Sequence, residues 1–227
     1  MIKNLLIGRP GISTLSNAIW MFCFTDGTIA FLPGGRIVDG TAARDPGNTD
    51  DPLTLRPGLP MGKLNSNGRY ANAFLGKTAA AVAAGATSFV MSPANAAELA
   101  RRIGGTGNVT IVGPPAASGT VAAQTVAVTA VNAATGVVTA TVPAAVVADS
   151  VVTAADGSGV PLTVVGDGYG LILPAAGVDA EFPRFPIGGV IEEPRLIDWP
   201  TDPSSRAYFR SQLSSLAGGK FTFSNQY

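Results

Sequence analysis

Between Arg102 and Asp149 the chain carries no charged side chain, and no Lys or Arg recurs before Arg184. Ala, Val, Thr and Gly dominate this stretch, as in TVAAQTVAVTAVNAATGVVTATV. Such a composition resembles low complexity, but the order of residues favours strands. Val126, Val128 and Ala130 alternate with small residues, NAATG supplies a turn, and VVTATV resumes the pattern. AAVVADSVV follows, then the turn signal Asp156-Gly157 and the apolar run PLTVV. One helix is expected among these strands, in SPANAAELARRIGG. Ser92 stands as its N-cap, Pro93 as its first residue and Gly104 just past its end. Arg101 and Arg102 fall in the last turn, where the helix dipole favours positive charge. Residues 79–168 therefore read as a small α+β module.

The flanks differ in kind. They hold Trp20, Trp199, every Phe except Phe89, and most of the Pro and charge. Short strands are expected at NAIWMFCF, TIAFL, LTLR, MGKL and RYANAFL, separated by polar turns. Near the other end, TDPSSRAYFRSQLSSLAGG has helix grammar: Asp202 caps, Pro203 opens, Phe209, Leu213 and Leu216 form a stripe, and Gly218 stops it. KFTFS then alternates like a closing strand. The fold class expected is mainly β (α+β), with residues 1–78 and 169–227 forming one discontinuous domain interrupted by the 79–168 module.

Composition narrows the chemistry. Fifteen basic and fifteen acidic side chains cancel, so no nucleic-acid footprint shows in the totals. Histidine is absent, which removes the commonest general base and metal ligand. Cys23 is the single cysteine and sits in an apolar run, as a buried structural thiol does. The N-terminal run is too short and interrupted for a signal peptide, and no stretch is long enough to span a bilayer, so no membrane partner is expected. No cofactor, metal site or catalytic group is expected, and the chain reads as a non-enzyme.

One motif argues otherwise. ANAFLGKT, residues 71–78, ends in the Gly-Lys-Thr of a phosphate-binding loop. That loop needs glycines to bring backbone N–H groups onto the phosphates and a long helix to follow. Here Ala71 replaces the first Gly, Phe74 and Leu75 occupy the loop, and Gly85 follows soon after. A strand at a domain junction is the expected reading. Glu192-Glu193 precedes Pro194 and reads as a solvated edge rather than an acid/base pair, since neighbours on a strand face opposite ways.

DPLTLRPGLPMGKLNSNGRYAN, residues 51–72, reads as strand, Pro-Gly turn, strand through Met61-Gly62-Lys63-Leu64, polar turn, then Gly68-Arg69-Tyr70. This cadence resembles the bacteriophage head decoration (capsid cement) proteins, the class that includes the lambda decoration protein. RAYFRSQL followed by GGKFTFS looks like the end of the same domain. The resemblance covers the flanks only, and the 79–168 module looks like an outward-facing insertion. It implies a homotrimer on the virion exterior, assembled in the host cytoplasm and bound to the major capsid protein. An N-terminal arm with Asn4, Leu5, Leu6 and Ile7 is the expected capsid contact, against the alternative of an ordinary first strand. Trp20, Phe22, Phe24 and Trp199 are expected as core or interface aromatics. The alternative reading is a head-fibre, tail or surface adhesin built from β modules.

Overall fold

The computed structural model describes residues 23–24, 29–113, 122–166, 170–216 and 221–224. Three short strands run β1 (Ala30–Phe31), β2 (Arg36–Val38) and β3 (Thr54–Leu55), followed by a hairpin of β4 (Pro60–Lys63) and β5 (Tyr70–Asn72). Next come β6 (Phe74–Lys77), β7 (Ser88–Val90), helix α1 (Pro93–Ile103), β8 (Gly107–Gly113), β9 (Ala122–Asn132), β10 (Val137–Ala140), β11 (Val151–Ala154) and β12 (Pro161–Val164). The chain closes through β13 (Leu171–Ile172), β14 (Ala180–Phe182), β15 (Pro186–Glu192), a 3-10 turn (Glu193–Arg195), helix α2 (Pro203–Leu216) and β16 (Phe221–Ser224). The described residues are mainly β, with two short α-helices.

An antiparallel six-stranded sheet in the order β6-β11-β8-β9-β10-β7 forms the centre. Its β11–β8 register places Val151 opposite Val112 and Val152 opposite Ile111. Successive residues of a strand face opposite ways, so these two pairs lie on opposite faces. Ile111 and Val152 pack with Ala96 and Leu99 of α1. Val112 and Val151 pack with Phe209 and Leu213 of α2. Phe74 and Leu75 of β6 divide in the same way, Leu75 towards α1 and Phe74 towards α2. The alternation in a nearly uncharged sequence thus builds a sheet buried on both faces at one end.

The other strands form a five-stranded sheet (β12-β4-β5-β2-β14), a three-stranded one (β1-β15-β16) and the pair β13-β3. Tyr70, Phe182 and Phe185 meet in a third core, with ring centroids 4.6 Å apart for Tyr70–Phe185 and 5.3 Å for Phe182–Phe185. β16 closes the fold by running parallel to β15, Phe221 opposite Gly189.

Three helix ends follow the expected grammar, and the fourth, expected at Gly218, lies outside the described residues. Ser92 Oγ accepts the Asn95 N–H at 3.2 Å, Pro93 opens α1, and Gly104 leaves it at φ +66°. Asp202 caps α2 by accepting the Ser205 N–H at 2.7 Å.

Strand pairing divides the chain at other residues than composition does. β6, expected with the flanks, is an edge of the six-stranded sheet and pairs with β11. β12, expected in the module, pairs with β4. Composition averages over a stretch of chain, whereas pairing depends on which strand edge each segment meets. Val112, Val151 and Val164 accordingly share a core with Phe24, Phe74, Trp199 and Phe209.

Candidate functional site

Gly76 and Lys77 end strand β6 and Thr78 follows directly, so the segment is not a phosphate loop. Gly76 and Lys77 lie opposite Val152 and Val151. The Lys77 Nζ donates to the Trp199 carbonyl at 2.9 Å, across to the segment that leads into α2. Thr78 is fully buried; its hydroxyl donates to the Val147 carbonyl and accepts the Ser150 N–H. A Cβ on Gly76 would lie 2.3 Å from the Asn95 amide, so this glycine admits the start of α1. Lysine and hydroxyl are both committed inside the fold. Replacing Lys77 with Met should cost about 1 kcal/mol in a urea melt, the worth of one hydrogen bond. Calorimetry with ATP and magnesium should show no binding heat for either protein; a micromolar signal lost in the variant would overturn this assignment.

Glu192 and Glu193 correct the expectation of a solvated edge, because both are buried. They serve different cations. Glu192 pairs with Arg195 at 2.7 Å. Glu193 Oε1 accepts the Trp199 indole N–H at 3.1 Å, and its two oxygens receive Nε and Nη2 of Arg210. The turn at Pro194 swings Glu193 off the strand and under α2, a change of direction that strand alternation alone does not convey.

Of the aromatics expected in core or interface, Phe24 and Trp199 are core in this chain. Trp199 stacks on Phe223 at 6.3 Å and also meets Phe74 and Phe209. Phe24 sits 6.2 Å from Phe221 and bridges to Ile191 of β15. Asn4, Leu5, Leu6, Ile7, Trp20 and Phe22 lie outside the described residues. Cys23 is fully buried, and that burial, aided by the Glu192 carboxylate, pushes its thiol pKa up to about 12. Such a thiol stays protonated and inert.

Polar side chains gather where the end of α1 meets the segment 39–45. Arg102 donates Nε to Asp156 at 2.9 Å, Nη2 to the Ser158 hydroxyl at 2.7 Å, and Nη1 to the Ala42 carbonyl. Its guanidinium and the Ser158 hydroxyl, a further hydrogen-bond donor, hold the Asp156 carboxyl below the usual carboxylate range against the opposing effect of burial. Arg101 holds both oxygens of buried Glu98 at 2.7 Å and reaches the Thr41 and Ala42 carbonyls. From the sequence these arginines complement a helix dipole. In the structure they also pin α1 to a loop about sixty residues earlier. Two clefts, of about 310 and 260 Å³, flank Arg101, the larger lined also by Arg44, Pro46, Pro52 and Glu98.

Among the described residues no helix is long and apolar enough to cross a membrane, and no three His, Cys, Asp or Glu side chains come together as a metal site. No protein-family model, curated protein or solved structure matches the chain.

Proposed function

We propose that this protein decorates and stabilises the outer surface of a bacteriophage capsid, as a homotrimer at three-fold positions bound to the major capsid protein. The supporting observation is the β4–β5 hairpin, which holds the residues of the resemblance. Met61, Gly62 and Lys63 face Asn72, Ala71 and Tyr70. Gly62 has no room for a side chain, since a Cβ there would lie 1.8 Å from the Ser158 carbonyl oxygen. Gly68 turns the chain at φ +73°, and Tyr70 is buried against Phe185. The glycines and tyrosine of that cadence are thus residues on which this sheet depends. Lys77, Glu193 and Asp156 hold the fold together, and that suits a protein that works by surface complementarity.

In this reading the arm carrying Asn4, Leu5, Leu6 and Ile7 adds to an exposed sheet edge of the capsid. Three arms on one trimer act together through high effective concentration, and binding only the assembled shell stabilises it by mass action. The test uses shells of the major capsid protein from the same genome. The protein should cosediment with expanded shells and raise their melting temperature. Deleting residues 2–12 should leave a folded trimer that no longer cosediments. Shells that sediment without the intact protein, at an unchanged melting temperature, would refute the proposal.

A further inference from the structure

The larger cleft beside Arg101, between α1 and the segment 44–52, holds more positive charge than its own residues neutralise. Three ionisable side chains line it: Arg44, Glu98 and Arg101. Both oxygens of Glu98 are taken by Arg101. The nearest carboxylate in sequence, Asp45, is taken by Arg56 through contacts of 2.7 and 2.9 Å. Arg44 is the surplus cation. It is only 9% exposed, yet among the described residues no carboxylate lies at ion-pair distance from it. Its Nη1 donates to the Gly40 and Ala43 carbonyls, while Nε and Nη2 have no partner among the described residues. Neither atom is sealed from solvent, so both remain open to an incoming acceptor at the cleft. Burial, reinforced by the Arg101 guanidinium and opposed by Glu98, holds the Arg44 pKa below its ordinary value.

We propose that this cleft is a binding site for a carboxylate on a short aliphatic stem, with the carboxylate on Arg44 and the stem against Pro46, Pro52, Ala94 and Ala97. Charge and size select that class. One surplus positive charge matches one carboxylate, whereas a phosphate dianion would bring a second charge towards Glu98. The volume of about 310 Å³ is at the lower end of ligand pockets, roughly 300–1,000 Å³. The walls are apolar apart from the charged trio and Thr49, whose hydroxyl is a further donor. The same chemistry is offered by a free short-chain acid and by a glutamate side chain of another polypeptide. The site does not depend on the capsid reading, and its test does not involve shells.

The experiment is a titration of the full chain followed by amide and arginine Nε–H resonances in ¹H–¹⁵N spectra. Propionate and a blocked Ala-Glu-Ala peptide are the two probes, with propionamide and the Ala-Gln-Ala peptide as neutral controls. At least one carboxylate should give saturable shifts at Arg44 and Ala97, and the neutral controls should give none. Binding of propionate alone identifies a free acid as the source; binding of the glutamyl peptide identifies a polypeptide carboxylate. Arg44→Gln should weaken the interaction at least about tenfold, as expected for a lost charge-assisted hydrogen bond. Ala97→Leu, an exposed-position change that fills the cleft without touching the charges, should block it even if Arg44→Gln perturbs the fold. No saturable shift with either carboxylate, equal shifts with the amides, or binding retained by Ala97→Leu would overturn the proposal.

Discussion

A chain in which residue 78 is joined directly to residue 169 should fail to fold, giving no cooperative melt by circular dichroism and collapsed amide dispersion by NMR. The excision follows the boundaries that composition suggests, and a true insertion would tolerate it because insertion ends lie close together. Here it removes β12, the partner of β4, and β11, the partner of β6. It also removes Val112, Val151 and Val164 from the core that holds Phe74, Trp199, Phe209 and Leu213. Burying one such side chain is worth about 1.5–3 kcal/mol, and a whole domain is typically stable by only about 5–15 kcal/mol. Three valines and two strand pairings therefore exceed what the remainder can lose. A cooperative transition near the melting temperature of the intact protein would show that residues 1–78 and 169–227 have a self-sufficient core.

Gly62→Ala should destabilise the protein by at least about 3 kcal/mol, at the upper end of overpacking costs. A Cβ at this position would lie 1.8 Å from the Ser158 oxygen and 2.5 Å from the Val160 oxygen. Both obstacles are backbone, so no side-chain rotation relieves them. Gly62 stands opposite Pro161 where the β4–β12 register shifts, and the two strands must separate to admit the methyl group. Gly85→Ala provides the comparison. Gly85 has open space around its Cβ direction but a φ of +75°. Its replacement should cost only the strain of a left-handed residue, about 1–2 kcal/mol. Urea melts of the two variants separate close approach from backbone strain, and equal losses would remove the steric explanation.

Local order was legible in the residues. Ser92, Pro93 and Gly104 bound α1, and Asp202 and Pro203 start α2, because capping is chemistry between neighbours in sequence. Alternating Val126 and Val128 mark a strand with one buried face, since the pleat has a period of two. Gly76-Lys77 could be recognised as strand from Phe74 and Leu75, whose bulk suits a core and not a phosphate cradle. What Lys77 holds, the Trp199 carbonyl, is 122 positions away and has no local signature. The same applies to Glu193 beneath Arg210 and to Arg102 on Asp156 and Ser158. Arg44 reads as one more charge in a polar loop, and its lack of a counter-ion appears only once α1 and the loop are brought together. Sequence by itself located both helices, the caps at Ser92, Gly104 and Asp202, and strands such as β4, β9 and β10, through contacts a few residues apart, but not β2, β7, β8 or β14. Tertiary structure alone decided which strand edges meet and which charges are neutralised, because hydrogen bonds across a sheet and ion pairs in a core depend on distance in space.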